Sequence, residues 1–140
     1  MKKIMIVDDN YLSAEGIEKN IDWETLNAEI IHVCYNGTSA IEAMKKEPAD
    51  LIISDIEMPD LDGISMSRQA LEINPMVKII LISAYDKFEY ARRALLLGAL
   101  DYIEKPLDYA YLIQKVKNAF ALMEKEQKNL QLLKQSSVSS

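Results

Sequence analysis

The run Leu51-Ile52-Ile53-Ser54-Asp55 constrains this chain more than any other stretch. Three apolar residues and a serine lead straight into an aspartate. A short apolar segment of this length reads as a strand buried on both faces, the kind found inside a parallel sheet. Beyond it, Ile56-Glu57-Met58-Pro59-Asp60-Leu61-Asp62-Gly63 carries a proline and a glycine that stop regular structure. Asp55 is therefore expected at a strand end, with a constrained loop after it. Taken alone it would read as an aspartate capping a turn. The ends of the other strands change that.

Lys3-Ile4-Met5-Ile6-Val7 is a second buried-strand pattern and ends at Asp8-Asp9. Residues 29–34 read as a strand that Asn36-Gly37 ends. Residues 78–82 form a fourth, running to Ser83-Ala84-Tyr85, and residues 99–103 a fifth, running to Glu104-Lys105-Pro106. Helical patterns lie between them. Residues 12–21 place Leu12, Ile17 and Ile21 inward. Ser39-Ala40-Ile41-Glu42 fits a capping box for a helix to about Lys46, closed by Pro48. Residues 64–73 turn Ile64, Met66 and Leu71 inward and stop at Asn74-Pro75. Asp86-Lys87-Phe88-Glu89 starts a helix carrying Tyr90, Ala91, Ala94, Leu95 and Leu97, with Gly98 as its stop. Asp108 caps the last helix. Strands and helices alternate throughout, which implies an α/β fold: a five-stranded, doubly wound parallel sheet with helices on both faces.

The 140 residues suit one domain with a substantial core. A formal net charge of −6 argues against a bare nucleic-acid-binding surface. The single Cys34 excludes an internal disulfide and a thiolate metal cluster, and is expected as a small buried hydrophobe. His32, inside a strand, is expected to be structural. The first apolar run stops at Asp8-Asp9, too short for a signal peptide or a membrane span, so a cytoplasmic protein is expected.

Leu112, Val116, Ala119, Met123, Glu126, Leu130 and Leu133 follow a heptad seam broken once, at Glu126. The first half of this helix must pack on the sheet. Residues 1–124 are expected as the folded domain, and 125–140 as a helical linker or tail that either frays or pairs with another chain. Such a tail looks like the link to something longer.

In an open parallel sheet, function gathers beyond the carboxyl ends of the strands. Those ends supply Asp8 and Asp9, Asp55, Ser83 and Lys105. If the strand order is 2-1-3-4-5, the three carboxylates converge, with Ser83 and Lys105 beside Asp55. Two like charges ~4 Å apart cost about 4 kcal/mol at an effective dielectric near 20. Lys105 offsets one charge, and a divalent cation that prefers hard oxygens, Mg²⁺ or Mn²⁺, suits the remainder. A carboxylate, a cation, a hydroxyl and an ammonium form a cradle for a tetrahedral anion, and the carboxylate is a nucleophile toward phosphorus.

With these residues the chain resembles the receiver domain of bacterial two-component response regulators, over residues 1 to about 125. The resemblance implies the flavodoxin-like order 2-1-3-4-5. It implies that Asp55 accepts a phosphoryl group from a phosphohistidine of a sensor histidine kinase. Asp9 and Asp55 would bind Mg²⁺ directly, with the backbone carbonyl of Glu57, and Asp8 largely through metal-bound water. Ser83 would bind a phosphoryl oxygen, Tyr102 would swing inward behind it, Lys105 would contact the phosphoryl group, and the bond before Pro106 would be cis. Such a domain is a switch rather than an enzyme, catalysing only its own phosphoryl transfer and dephosphorylation. Serine at position 83, where many relatives carry threonine, keeps the hydroxyl and drops a methyl. The stretch Ile82–Ala91, with Ile21-Asp22-Trp23-Glu24, is similar to receivers that precede an AraC-type DNA-binding domain. No helix-turn-helix fits into residues 126–140, so DNA binding would belong to an effector domain outside this chain. A homodimer would use helix four, strand five and helix five, continued by the C-terminal helix.

Two other readings compete. An aspartate-nucleophile phosphatase of the haloacid-dehalogenase type wants a second aspartate two residues after the nucleophile, where Glu57 stands. A flavodoxin-type cofactor module wants hydroxyls and amides in its first loop, where Asp8-Asp9 would repel a phosphate. No Walker lysine loop or dinucleotide glycine fingerprint is present.

Overall fold

The computed structural model describes residues 1–84 and 88–139. Five strands alternate with five helices: β1 (Lys2–Val7), α1 (Tyr11–Asn20), β2 (Ala28–Cys34), α2 (Gly37–Lys46), β3 (Leu51–Asp55), α3 (Gly63–Ile73), β4 (Lys78–Ser83), α4 (Phe88–Leu97), β5 (Asp101–Glu104) and α5 (Tyr109–Ser139). All strand pairs are parallel, in the order β2-β1-β3-β4-β5. Every residue of β3 is buried, as its unbroken apolar run requires.

Side chains alternate across each strand, so the sheet has two separate cores. Met5, Val7, Ile52, Ile79 and Leu81 face the side covered by α2, α3 and α4. Ile4, Ile6, Leu51, Ile53, Ile80, Ile82 and Ile103 face α1 and α5. Helix α5 is anchored there by Leu112, Val116 and Ala119, all fully buried. Truncating a buried leucine such as Leu112 to alanine typically costs about 2–5 kcal/mol.

Several helix details depart from the sequence reading. Leu12 was expected inward and is 80% exposed. Helix α1 buries Ala14 and Ile17, and Leu12 lies five positions from Ile17, about 140° round the helix. Helix α4 turns Ala94 to the sheet and leaves Leu95 78% exposed. Helix α2 starts earlier than the Ser39 capping box: the Asn36 side chain caps it, accepting from the Ser39 amide at 2.8 Å. Strand β5 begins at Asp101 rather than Ala99. Gly98, with φ +88°, ends α4, and Asp108 Oδ1 accepts from the amides of Ala110 and Tyr111 at the start of α5. The expected cap Asp86 lies outside the described residues.

The break in the seam of α5 has a physical cause. Glu126 turns back onto the body of the molecule, where Lys78 Nζ at the start of β4 lies 2.8 Å from Oε1 and 2.7 Å from Oε2. Beyond it, Leu130 and Leu133 are exposed. Among the described residues no helix is long and apolar enough to cross a membrane.

Candidate functional site

Strand alternation brings the charged groups together. Asp8 continues the parity of Ile4 and Ile6, Asp55 that of Leu51 and Ile53, and Lys105 that of Ile103. All three therefore leave the sheet on the α1/α5 side, at the carboxyl ends of β1, of its neighbour β3 and of β5, one strand further along. Ser83 shares the parity of Ile79 and Leu81 and belongs to the opposite side.

Asp8, Asp9 and Asp55 each offer a carboxylate oxygen within 4.8 Å of the others. Asp8 and Asp55 are 2% and 7% exposed, while Asp9 is open to solvent. Lys105 Nζ lies 3.0 Å from Asp8 Oδ2 and 3.9 Å from Asp55 Oδ2. It is also 3.5 Å from Ser13 Oγ on α1, a neighbour the sequence reading did not include. Burial, followed by the charge of Asp8, pushes the Asp55 carboxyl up to about 7 from an ordinary 3.8, against the pull of Lys105. Three carboxylates and hard-oxygen donors fit a divalent cation such as Mg²⁺.

The other site residues are placed as follows. Ser83 is fully buried at the end of β4, and its carbonyl accepts from the Lys105 amide at 2.8 Å. Tyr102 is half-buried on β5, opposite Leu81, and packs against the α2/α3/α4 core. The Lys105–Pro106 peptide is cis. The Glu57 side chain points toward α4, where the Tyr90 hydroxyl donates to Oε1 at 2.6 Å. Asp9, Glu57, Met58, Pro59, Tyr90 and Arg93 line a cleft of about 440 Å³ beside the carboxylates.

The loop after Asp55 is held tightly. The Ile56 amide donates to the Ile82 carbonyl and the Gly63 amide to the Ile56 carbonyl, at 2.9 and 2.8 Å. A Cβ on Gly63 would collide with the backbone carbonyl of Asp55, so only glycine lets the loop close over the strand end. Asp62 caps α3, accepting from the amides of Ile64 and Ser65. Asp60 accepts from Gly37 and Thr38 at the start of α2, at 3.2 and 2.9 Å. Hydrogen bonds from Thr38, side chain first, hold the Asp60 carboxyl well below the usual range. The sequence reading assigned nothing to Asp60, Tyr90 or Arg93. The partners of Asp60 and Tyr90 are 22 or more residues distant, and no local pattern encodes such pairs.

Away from the site, His32 Nε2 lies 2.9 Å from the Glu47 carbonyl. Cys34 is buried, and that burial pushes its thiol up to about 11, far from a reactive thiolate.

The family described as "Response regulator receiver domain" matches residues 4–117. The transcriptional regulatory protein YesN of Bacillus subtilis is 29% identical over 126 residues, covering 90% of this chain and 34% of YesN. The chain thus spans about a third of that relative's length. The REC domain of AraT, a response regulator from Geobacillus stearothermophilus, superposes with a TM-score of 0.84 at 34% identity, over 90% of this chain and 98% of that one. A chain of the CheX–CheY–BeF₃–Mg²⁺ complex from Borrelia burgdorferi superposes with a TM-score of 0.74 at 29% identity, over 85% and 89%.

Proposed function

The chain belongs to the response regulator receiver domain family, the phosphoacceptor modules of two-component signalling, and on that premise we propose that Asp55 is the residue that takes the phosphoryl group. The observation that carries this reading is the convergence of Asp8, Asp9 and Asp55 with Lys105, whose ammonium lies within 3.9 Å of the acceptor carboxylate.

A carboxylate oxygen of Asp55 attacks phosphorus. The bond from phosphorus to the donor imidazole nitrogen breaks, and its electron pair leaves with the imidazole. Asp55 must be ionised to do this, and Lys105 favours the ionised form. The lysine ammonium is also close enough to pair with a phosphoryl oxygen once Asp55 is modified. A divalent cation held by Asp9, Asp55 and the Glu57 carbonyl, with Asp8 acting through water, would neutralise charge on the transferring group. Mg²⁺ is the metal the reading favours, and the name of the Borrelia complex supports it. Ser83 and Tyr102 form the switch, with the hydroxyl binding the modified aspartate and the ring following it.

The domain turns over no substrate of its own beyond this transfer and its reversal by water. Its donor is a sensor histidine kinase, and its output is transcription through a DNA-binding domain outside these residues, as the name of YesN suggests. Residues 125–140 are the link toward that domain, helical as far as Ser139. Because Leu112 to Ala119 are committed to the sheet, a dimer seam along α5 begins only beyond Glu126, together with the α4-β5-α5 face.

The test is labelling with acetyl phosphate and Mg²⁺, read by intact mass. Wild type should gain one hydroxylamine-sensitive phosphoryl group, and Asp55→Asn none. Persistent labelling of another residue in that variant would refute the assignment. Repeated turnover of phosphate monoesters would favour the phosphatase instead.

A further inference from the structure

We propose that Asp60 is a positioning residue for the cation at the acceptor site, acting through the loop that carries Glu57. The inference rests on the metal-binding reading above and extends it to a residue that touches neither metal nor phosphoryl group.

The start of α2 has orphan amides, as every helix start does. Its own cap, Asn36, accepts through its side chain from the Ser39 hydroxyl and the Ser39 amide. The two amides before it go to another part of the chain: Gly37 to Asp60 Oδ1 and Thr38 to Asp60 Oδ2. Both carboxylate oxygens are used, so the plane of the group is fixed, and the Thr38 side chain binds it as well. A carboxylate at a helix start is also favoured by the helix dipole. The Leu61 backbone lies against Gly37 so closely that a Cβ there would meet its carbonyl. Asp60 thus grips α2 as firmly as it caps it.

That grip matters because of what hangs beside it. The neck of the loop is closed by the Gly63 amide on the Ile56 carbonyl. Only Glu57, Met58 and Pro59 lie between the neck and Asp60, and three residues offer little slack. Met58 is buried, and the Glu57 side chain is pinned by Tyr90 from α4. The backbone of Glu57 is therefore suspended from three points: the neck, α4 and α2. Releasing the α2 point lets the carbonyl assigned to the metal move.

The experiment is a calorimetric Mg²⁺ titration of the full chain, paired with amide hydrogen exchange without metal. Asp60→Ala should weaken Mg²⁺ affinity about 10-fold, the scale seen when an outer partner of a metal ligand is lost. Asp60→Asn should weaken it less. Thr38→Val, which removes only the hydroxyl, should shift it the same way, and adding it to Asp60→Ala should change nothing further. Amides of residues 57–62 should exchange faster in Asp60→Ala, with those of β1 and β3 unaltered. Unchanged affinity in Asp60→Ala, with wild type binding normally, overturns the role. So does exchange accelerated equally across the whole sheet, which would make the loss one of overall stability. A wild type that binds no Mg²⁺ instead overturns the metal reading, and is seen before any variant is compared.

Discussion

Lys105 makes its closest ion pair with Asp8, at 3.0 Å, and stands farther from Asp55, at 3.9 Å. The lysine thus pairs with the buried neighbour of Asp55 more closely than with Asp55 itself. Lys105→Met removes that partner and leaves Asp8, 2% exposed, without its ion pair. We expect a loss of about 1–3 kcal/mol in chelator, largely recovered in Mg²⁺, because a cation replaces the missing charge. Urea unfolding under the two conditions tests this, and an equal loss in both would contradict it.

Asp55 sets a pH dependence with an unusual sign. Its folded value of about 7 lies above the ordinary 3.8. Between those values the folded state holds a proton that the unfolded chain has released. Stability therefore falls as pH rises through this window, and the loss is complete above about 7. Asp55→Asn carries no such proton. In chelator it should gain on the order of 4 kcal/mol over wild type as pH rises from about 4 to about 8. A stability difference that does not vary with pH would count against the buried, repelled carboxylate.

Gly63→Ala places a Cβ on the Asp55 carbonyl. Overpacking of this kind typically costs about 1–3 kcal/mol. Here the strain falls on the backbone of Asp55, the proposed acceptor, so the rate of labelling by acetyl phosphate should drop along with the unfolding midpoint. A lower midpoint with an unaltered labelling rate would show that the strain is absorbed elsewhere.

Glu126→Ala leaves the ammonium of Lys78, which is 15% exposed, without its pair. The expected cost is about 1 kcal/mol. The more specific sign is local: amides of residues 124–133 should exchange faster while the Leu112–Ala119 turns stay protected. Uniform protection along α5 would mean that the ion pair does not dock the helix.

Leu130→Ser with Leu133→Ser removes exposed apolar groups beyond the body of the domain. If that part of α5 pairs with a second copy, sedimentation of the phosphorylated protein should shift toward monomer while the monomer's stability is unchanged. Identical sedimentation of variant and wild type would assign the segment to the link alone.

Much of this was legible from residue order. The apolar runs announced five strands, and every expected strand formed, with β5 displaced by two residues at its start. The helix error at Leu12 has a physical cause. Apolar character marks a candidate inner face, but α1 chose the stripe with Ala14, where a small side chain lets the helix lie closer to the sheet. Glu126 read as a flaw in a seam because its partner, Lys78, is 48 residues away.

The sequence by itself determined which groups stand at the carboxyl ends of the strands and on which side they emerge, since strand alternation is a two-residue rule that each segment carries within itself. Only the tertiary structure decided that Lys105 pairs with Asp8, that Tyr90 holds Glu57 and that Asp60 grips α2. Those contacts join residues 22 to 97 positions apart. Their distances follow from how helices settle over the twisted sheet, and that depends on packing across the whole domain rather than on any short stretch of chain.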